Sequence, residues 1–194
     1  MDYKDILSGV GIVLTVVAFY PYIYSIFQGI TKPHVFTWLI WGSTTFVIFL
    51  AQLADKGGAG AWPIGVSGII TLYVAWLAYT RKSDSSITRS DWFFLYVAMA
   101  SLPLWYYTSD PVWTVVILTT IDLAGFAPTF RKAYVSPYEE KLMFYNVMAV
   151  RNLVVLIALE NYTLTTILFP LATGIVCVGF ILMVAVRRHR VSNE

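Results

Sequence analysis

The chain has 194 residues, 58% of them hydrophobic and 12% charged, against about 25% charged in an average soluble domain. That composition faces lipid. A net charge of +2, with its cations scattered through short connections, excludes a nucleic-acid partner, and a single cysteine, Cys177, excludes an internal disulfide or a Cys-x-x-Cys site.

The N-terminal stretch Met1–Asp5 carries two acidic residues and one lysine and leads into a long uncharged run with no Ala-x-Ala cleavage pattern. It therefore predicts a retained membrane helix instead of a signal peptide. Crossing about 30 Å of hydrocarbon takes roughly 20 apolar residues. Seven charge-poor runs answer to this: Ile6–Gln28, Pro33–Ala54, Gly60–Tyr79, Trp92–Tyr107, Pro111–Phe130, Tyr138–Leu159 and Thr163–Val186. The fold class expected is an all-α membrane protein of seven transmembrane helices. Asp110-Pro111 reads as N-cap then first helical residue, and Ser136-Pro137-Tyr138-Glu139 as a capping box. Asp55–Gly60 and Arg81–Arg89 read as turns.

Lysine and arginine alternate in their abundance between successive connections. With the N-terminus outside, the cytoplasmic segments hold Lys32, Arg81, Lys82, Arg89, Arg131, Lys132, Lys141, Arg187, Arg188 and Arg190, and the external ones hold Lys4 and Lys56. This asymmetry predicts a multi-pass protein of the cell membrane with its N-terminus outside and its C-terminus in the cytoplasm.

A weak internal repeat runs through the chain. Phe19-Tyr20-Pro21 matches Phe126-Ala127-Pro128, Pro33 matches Pro137, and Pro63 matches Pro170, with 42 residues separating Pro21 from Pro63 and Pro128 from Pro170. Two three-helix units with one helix between them must point the same way, so the repeats are parallel. The division expected is residues 1–80 for the first bundle, 81–109 for a cytoplasmic loop and linker helix, and 110–194 for the second bundle and basic tail.

This 3+1+3 plan, with its N-outside orientation and late proline in the first helix of each half, resembles the SWEET and PQ-loop superfamily of small transporters across the whole chain. The family's Pro-Gln dipeptide is Pro21-Tyr22 in one half and Pro128-Thr129 in the other. The stretch Gly125–Lys132 followed by Pro137-Tyr138-Glu139-Glu140 looks like that of a bacterial branch of membrane proteins. PnuC-type vitamin transporters are a second relative, with the same helix count and a liking for tryptophan. The resemblance implies a polar small-molecule solute such as a sugar or vitamin, and self-association into a homo-oligomer. No glycine zipper stands out beyond Gly65 and Gly68, three apart.

Pro21 and Pro128 each remove a backbone hydrogen bond inside a membrane helix, and serve either as hinges or as static kinks. Trp62, Trp105, Trp113, Trp76 and Trp92 fall where interfacial anchors belong. Trp41 lies deeper, beyond Trp38, and is a candidate for stacking on a solute ring, with packing as the alternative. Thr44, Gln52, Ser67, Asn146, Asn152 and Thr173 either bind a polar solute or tie helices together; the fold's relatives place substrate contacts near Ser67 and Thr173. His34 and His189 have no second ligand residue beside them, and no metal or other cofactor is implied. An enzyme is not expected. Asp122 is the one aspartate at depth, where an aspartyl protease needs two. Gly-x-Ser-x-Gly and His-Glu-x-x-His are absent from the sequence, and the last helix has no lysine for a retinal Schiff base.

Asp122 and Arg151 interrupt the fifth and sixth runs. A lone charge at mid-bilayer costs roughly 2.5–3.5 kcal/mol, which favours a partner. Counted from their helix ends, the two lie at about 16 Å and about 13 Å of depth, so an ion pair between them is expected. It would bind a charged group, couple protonation of Asp122 to helix movement, or simply fix helix register. Thr15 and Val47 occupy the matching offsets from the first half's prolines, so the pair is expected to break the repeat. The function expected is small-solute transport by rocking of the two bundles; the alternative is a ligand-binding receptor or sensor without transport.

Overall fold

The computed structural model describes residues 2–31, 33–81, 89–135, 137–138 and 142–191. Lys32, Lys82 and Lys141 of the basic tally, Ser136 and Glu139 of the expected capping box, and the side chains of Pro128 and Lys132 lie outside the described residues.

Among the described residues the ordered elements are all helical: α1 Tyr3–Phe27, α2 Val35–Ala54, α3 Trp62–Thr80, α4 Arg89–Thr108, α5 Val112–Ala124, α6 Ala127–Val135, α7 Leu142–Ala158 and α8 Leu164–Val191, with a 3-10 turn over Gly58–Ala61 leading into α3. Five stretches are long and apolar enough to cross a membrane: Tyr3–Phe27, Val35–Ala54, Gly58–Thr80, Val112–Val135 and Leu164–Val191. This marks a multi-pass membrane protein. The sequence reading expects seven such spans, and five meet the criterion for a physical reason. α7 is apolar but only 17 residues long. α4 has 20 residues, yet it opens on Arg89 and Asp91 and is rich in tryptophan and tyrosine.

The exterior is as apolar as the interior. On α1, Ile6, Val10, Val13, Val17, Tyr20 and Tyr24 are exposed at helical spacing, as are Leu171, Ile175, Val178, Leu182 and Val186 on α8. Such stripes suit hydrocarbon, because each helix satisfies its own backbone internally.

The packing order repeats. α3 packs on both α1 and α2, and α8 packs on both α5 and α7. These groups meet along two seams, α1 against α7 and α2 against α5, while α4 lies against α5 and α2. The main core joins Ile48 and Phe49 of α2, Ile64 of α3, Leu118 of α5, Val155 of α7 and Phe169 of α8.

Two helix boundaries differ from expectation. Asp110 caps α5 by accepting from the Val112 amide at 2.9 Å, so the helix starts after Pro111. The expected continuous run to Phe130 breaks at Gly125-Phe126. Pro128 has no amide proton to offer the Ala124 carbonyl, and the Phe126 amide turns back to Leu123 O at 3.0 Å. α1, by contrast, continues through an exposed Pro21. The two prolines thus sit in different local structures, one inside an unbroken helix and one just after a break.

Candidate functional site

Two groups of buried polar residues lie in the seams, one in each. In the α2–α5 seam, the Thr44 hydroxyl donates to Asp122 Oδ1 at 2.6 Å. In the α1–α7 seam, Arg151 donates from Nε to Thr15 Oγ1 at 3.1 Å, from Nη1 to Asn152 Oδ1 at 2.9 Å, and from Nη2 to the Pro63 carbonyl at 2.6 Å. Thr15 is aimed for this role: its own proton goes to Gly11 O at 2.8 Å, which leaves its lone pairs to the guanidinium. Arg151 is 1% exposed and Asp122 7%.

The expected ion pair between Asp122 and Arg151 is therefore not formed; each charge is held by neutral partners in a different seam. Similar depth along two helices places groups at one level and says nothing about which seam each one faces. The expected break of the repeat is also corrected. Pro21 and Pro128, and likewise Pro63 and Pro170, lie 107 residues apart in the sequence. Thr15 and Asp122 lie the same distance apart, and so do Thr44 and Arg151. Under the expected repeat the two seam contacts correspond to each other, each joining a threonine of residues 1–80 to a charged residue of residues 110–194. Counting from Pro33 and Pro137 pointed to Val47 because the second half is three residues shorter between its first two prolines.

Both seams close in the same way toward the C-terminal end of α1. Phe19, one turn beyond Thr15, meets Phe144 edge-on at 5.6 Å. Trp41, one turn before Thr44, stacks on Phe126 at 6.3 Å and meets Trp38 at 5.8 Å. Gly125 admits the Trp41 indole, since a Cβ there would lie 2.5 Å from the ring. Trp41 thus lies in a seam, packed against Phe126, Trp38 and Gly125.

At the other end the α2–α3 and α7–α8 connections are bonded together. Glu160 N donates to Gly57 O at 3.1 Å, Ala59 N to Glu160 Oε1 at 3.1 Å, and Asn161 Nδ2 to Asp55 O at 2.9 Å. The Thr163 hydroxyl reaches the Asp55 carboxylate. Gln52 Nε2 donates to Thr166 O at 2.8 Å, and Lys4 Nζ to Leu159 O at 2.6 Å. Beside this latch an open cleft of about 340 Å³ is lined by Asp5, Ser8, Trp62 and Glu160, among others.

Of the residues singled out in the sequence, Trp41, Thr44, Asp122, Arg151 and Asn152 come to the seams. Ser67 is buried on α3. Thr173 is buried on α8 and bonds back to Phe169 O of its own helix at 2.7 Å. Asn146 is exposed on α7 and takes no part in either group. Cys177 is buried in α8, as a small apolar residue would be. The latch residues Asp55, Glu160, Asn161 and Thr163 escaped sequence reasoning, because loop polarity at a membrane surface is ordinary. Thr15 and Thr44 carried a usable signal, the constant interval of 107 residues to Asp122 and Arg151. The chain matches no protein-family model, no curated protein and no solved structure.

Proposed function

We propose that the protein is a small-solute transporter of 3+1+3 plan, in which α1–α3 and the group α5/α6, α7 and α8 form two parallel bundles, α4 links them, and the bundles rock against each other. The observation that carries this reading is the pair of repeat-equivalent polar contacts, Thr44 with Asp122 and Thr15 with Arg151, each lying between bundles. Polar groups buried at membrane depth are costly and belong to pathways more often than to scaffolds. Layering supports it as well: the polar level lies between a hydrogen-bonded latch at one end and aromatic contacts at the other, so opening either end alone exposes the middle to one side. With the N-terminus outside, the latch faces outward and the aromatic layer faces the cytoplasm. This plan is the one that the sequence's resemblance to the SWEET and PQ-loop proteins implies. Reconstituted into liposomes, the protein should exchange labelled solute for unlabelled solute from a panel of sugars, amino acids and vitamins. Ligand-dependent stabilisation without exchange of that ligand would favour a receptor instead.

A further inference from the structure

The geometry points to Arg151 and Asn152 as the receptor for an anionic group, foremost the carboxylate of the solute; the inference rests on the transport reading for the word solute and on the α1–α7 seam for the site. Arg151 is a cation at 1% exposure whose three acceptors, Thr15 Oγ1, Asn152 Oδ1 and Pro63 O, are all neutral. A guanidinium has five N–H donors, so two remain after these bonds. Beside it Asn152, also 1% exposed, spends its amide oxygen on Arg151 and leaves Nδ2 with no partner among the described residues. A buried amide nitrogen without an acceptor is uncommon and asks for an explanation. Two adjacent residues thus carry unused donors, and among the described residues no carboxylate bonds to the guanidinium; what they lack is acceptor oxygens bearing negative charge.

A carboxylate supplies both needs, since its two oxygens accept a forked guanidinium and a further N–H donor. The surroundings favour this over a fixed internal partner. The one buried carboxylate described among the core polar residues, Asp122, is engaged in the other seam by Thr44. The site lies between bundles, so the rocking that opens the seam also admits and releases the anion. The pairing then discriminates by charge: an anion gains a desolvated ionic contact through two acceptor oxygens, while a neutral amide of the same shape offers one acceptor oxygen and no charge, and leaves part of the donor set unmet.

The test is thermal unfolding of the purified protein in detergent, at constant sodium concentration, with acetate, with chloride, or with acetamide as the neutral isostere, against the bulky sulfonate MES as baseline. Acetate should raise Tm by several degrees and acetamide should not. Arg151→Gln should lose the acetate shift. Because that variant removes three buried hydrogen bonds and with them a support of the fold, Asn152→Asp provides the second arm: it puts a carboxylate beside the guanidinium, and should raise Tm in MES while abolishing the response to acetate. Equal shifts with acetate and acetamide, or a full acetate shift in Asn152→Asp, would overturn the site. A shift with chloride and none with acetate would assign it to an inorganic anion and overturn the carboxylate. Solute exchange in liposomes separates the two readings: exchange of neutral solutes with no acetate shift sinks the anion site alone, and an acetate shift without exchange of any solute sinks the transport reading alone.

Discussion

Replacing Thr44 by valine keeps the shape of a buried side chain and removes the hydroxyl that reaches Asp122 Oδ1 at 2.6 Å. Hydrogen bonds between membrane helices average about 0.6 kcal/mol and reach about 1.7 kcal/mol. This one is short, fully enclosed and made to a carboxyl group, which places it near the upper end, at about 1.5 kcal/mol. For a chain of this size that corresponds to a Tm lower by about 3–6 °C. Packing changes little, so the loss belongs to the bond. A double-mutant cycle isolates it: in an Asp122→Leu background the Thr44 hydroxyl keeps only Trp41 O, at 3.0 Å, as acceptor, so the Thr44→Val change should cost clearly less, giving a coupling of about 1 kcal/mol, whereas independent sites add to within about 0.3–0.5 kcal/mol. Unfolding in mixed micelles supplies both numbers. Equal costs of Thr44→Val in the two backgrounds would refute the seam contact and the repeat equivalence built on it.

Other consequences follow from close approaches and from topology. A Cβ at Gly60 would lie 2.6 Å from Leu159 N and 2.8 Å from the Ala158 carbonyl carbon, both backbone atoms; Gly60→Ala should therefore force the two connections apart and cost about 1–3 kcal/mol, read as a lower Tm. Gly125→Ala should displace the Trp41 indole, with a change in tryptophan emission, and the further change Trp41→Leu should restore the lost stability. Lys4→Met removes the 2.6 Å bond to Leu159 O and should speed thiol labelling of a cysteine placed at Thr163, if the latch opens as a unit. Reporters fused at Met1 and Glu194 should appear outside and in the cytoplasm respectively; the opposite result would reverse the assignment of the latch to the outer face.

Helix positions were legible because apolar run length is a one-dimensional property, and the described helices fall within the seven runs to within a few residues at most ends. Facing was not. Asn146 and Asn152 stand on one helix, six residues and about 600° of turn apart, so one is exposed and the other buried; with apolar residues on every side of α7, nothing in the sequence says which. The break at Gly125-Phe126 has a legible local cause in Pro128, which offers the Ala124 carbonyl no amide, whereas the close approach of the Trp41 indole to Gly125 comes from α2 and is invisible in the local sequence. Depth counted along two helices suggested a pair between Asp122 and Arg151, yet the neighbour of each is fixed by which helices share a seam. The interval of 107 residues contained that information, since it relates Thr44 to Arg151 and Thr15 to Asp122 before any coordinates are known.

The central claim, that two bundles move apart and together across these seams to pass a solute, is tested most directly by tying the latch shut. Cys177 is the chain's one cysteine and is buried, so a pair introduced as Asp55→Cys with Thr163→Cys can be bridged selectively by a short bifunctional methanethiosulfonate, which a reductant removes. In liposomes the unbridged double variant should exchange at least one solute of the panel, the bridged protein should exchange none, and reduction should restore the rate. Exchange at an undiminished rate with the bridge in place, or no exchange of any solute by well-folded parent protein, would contradict the account.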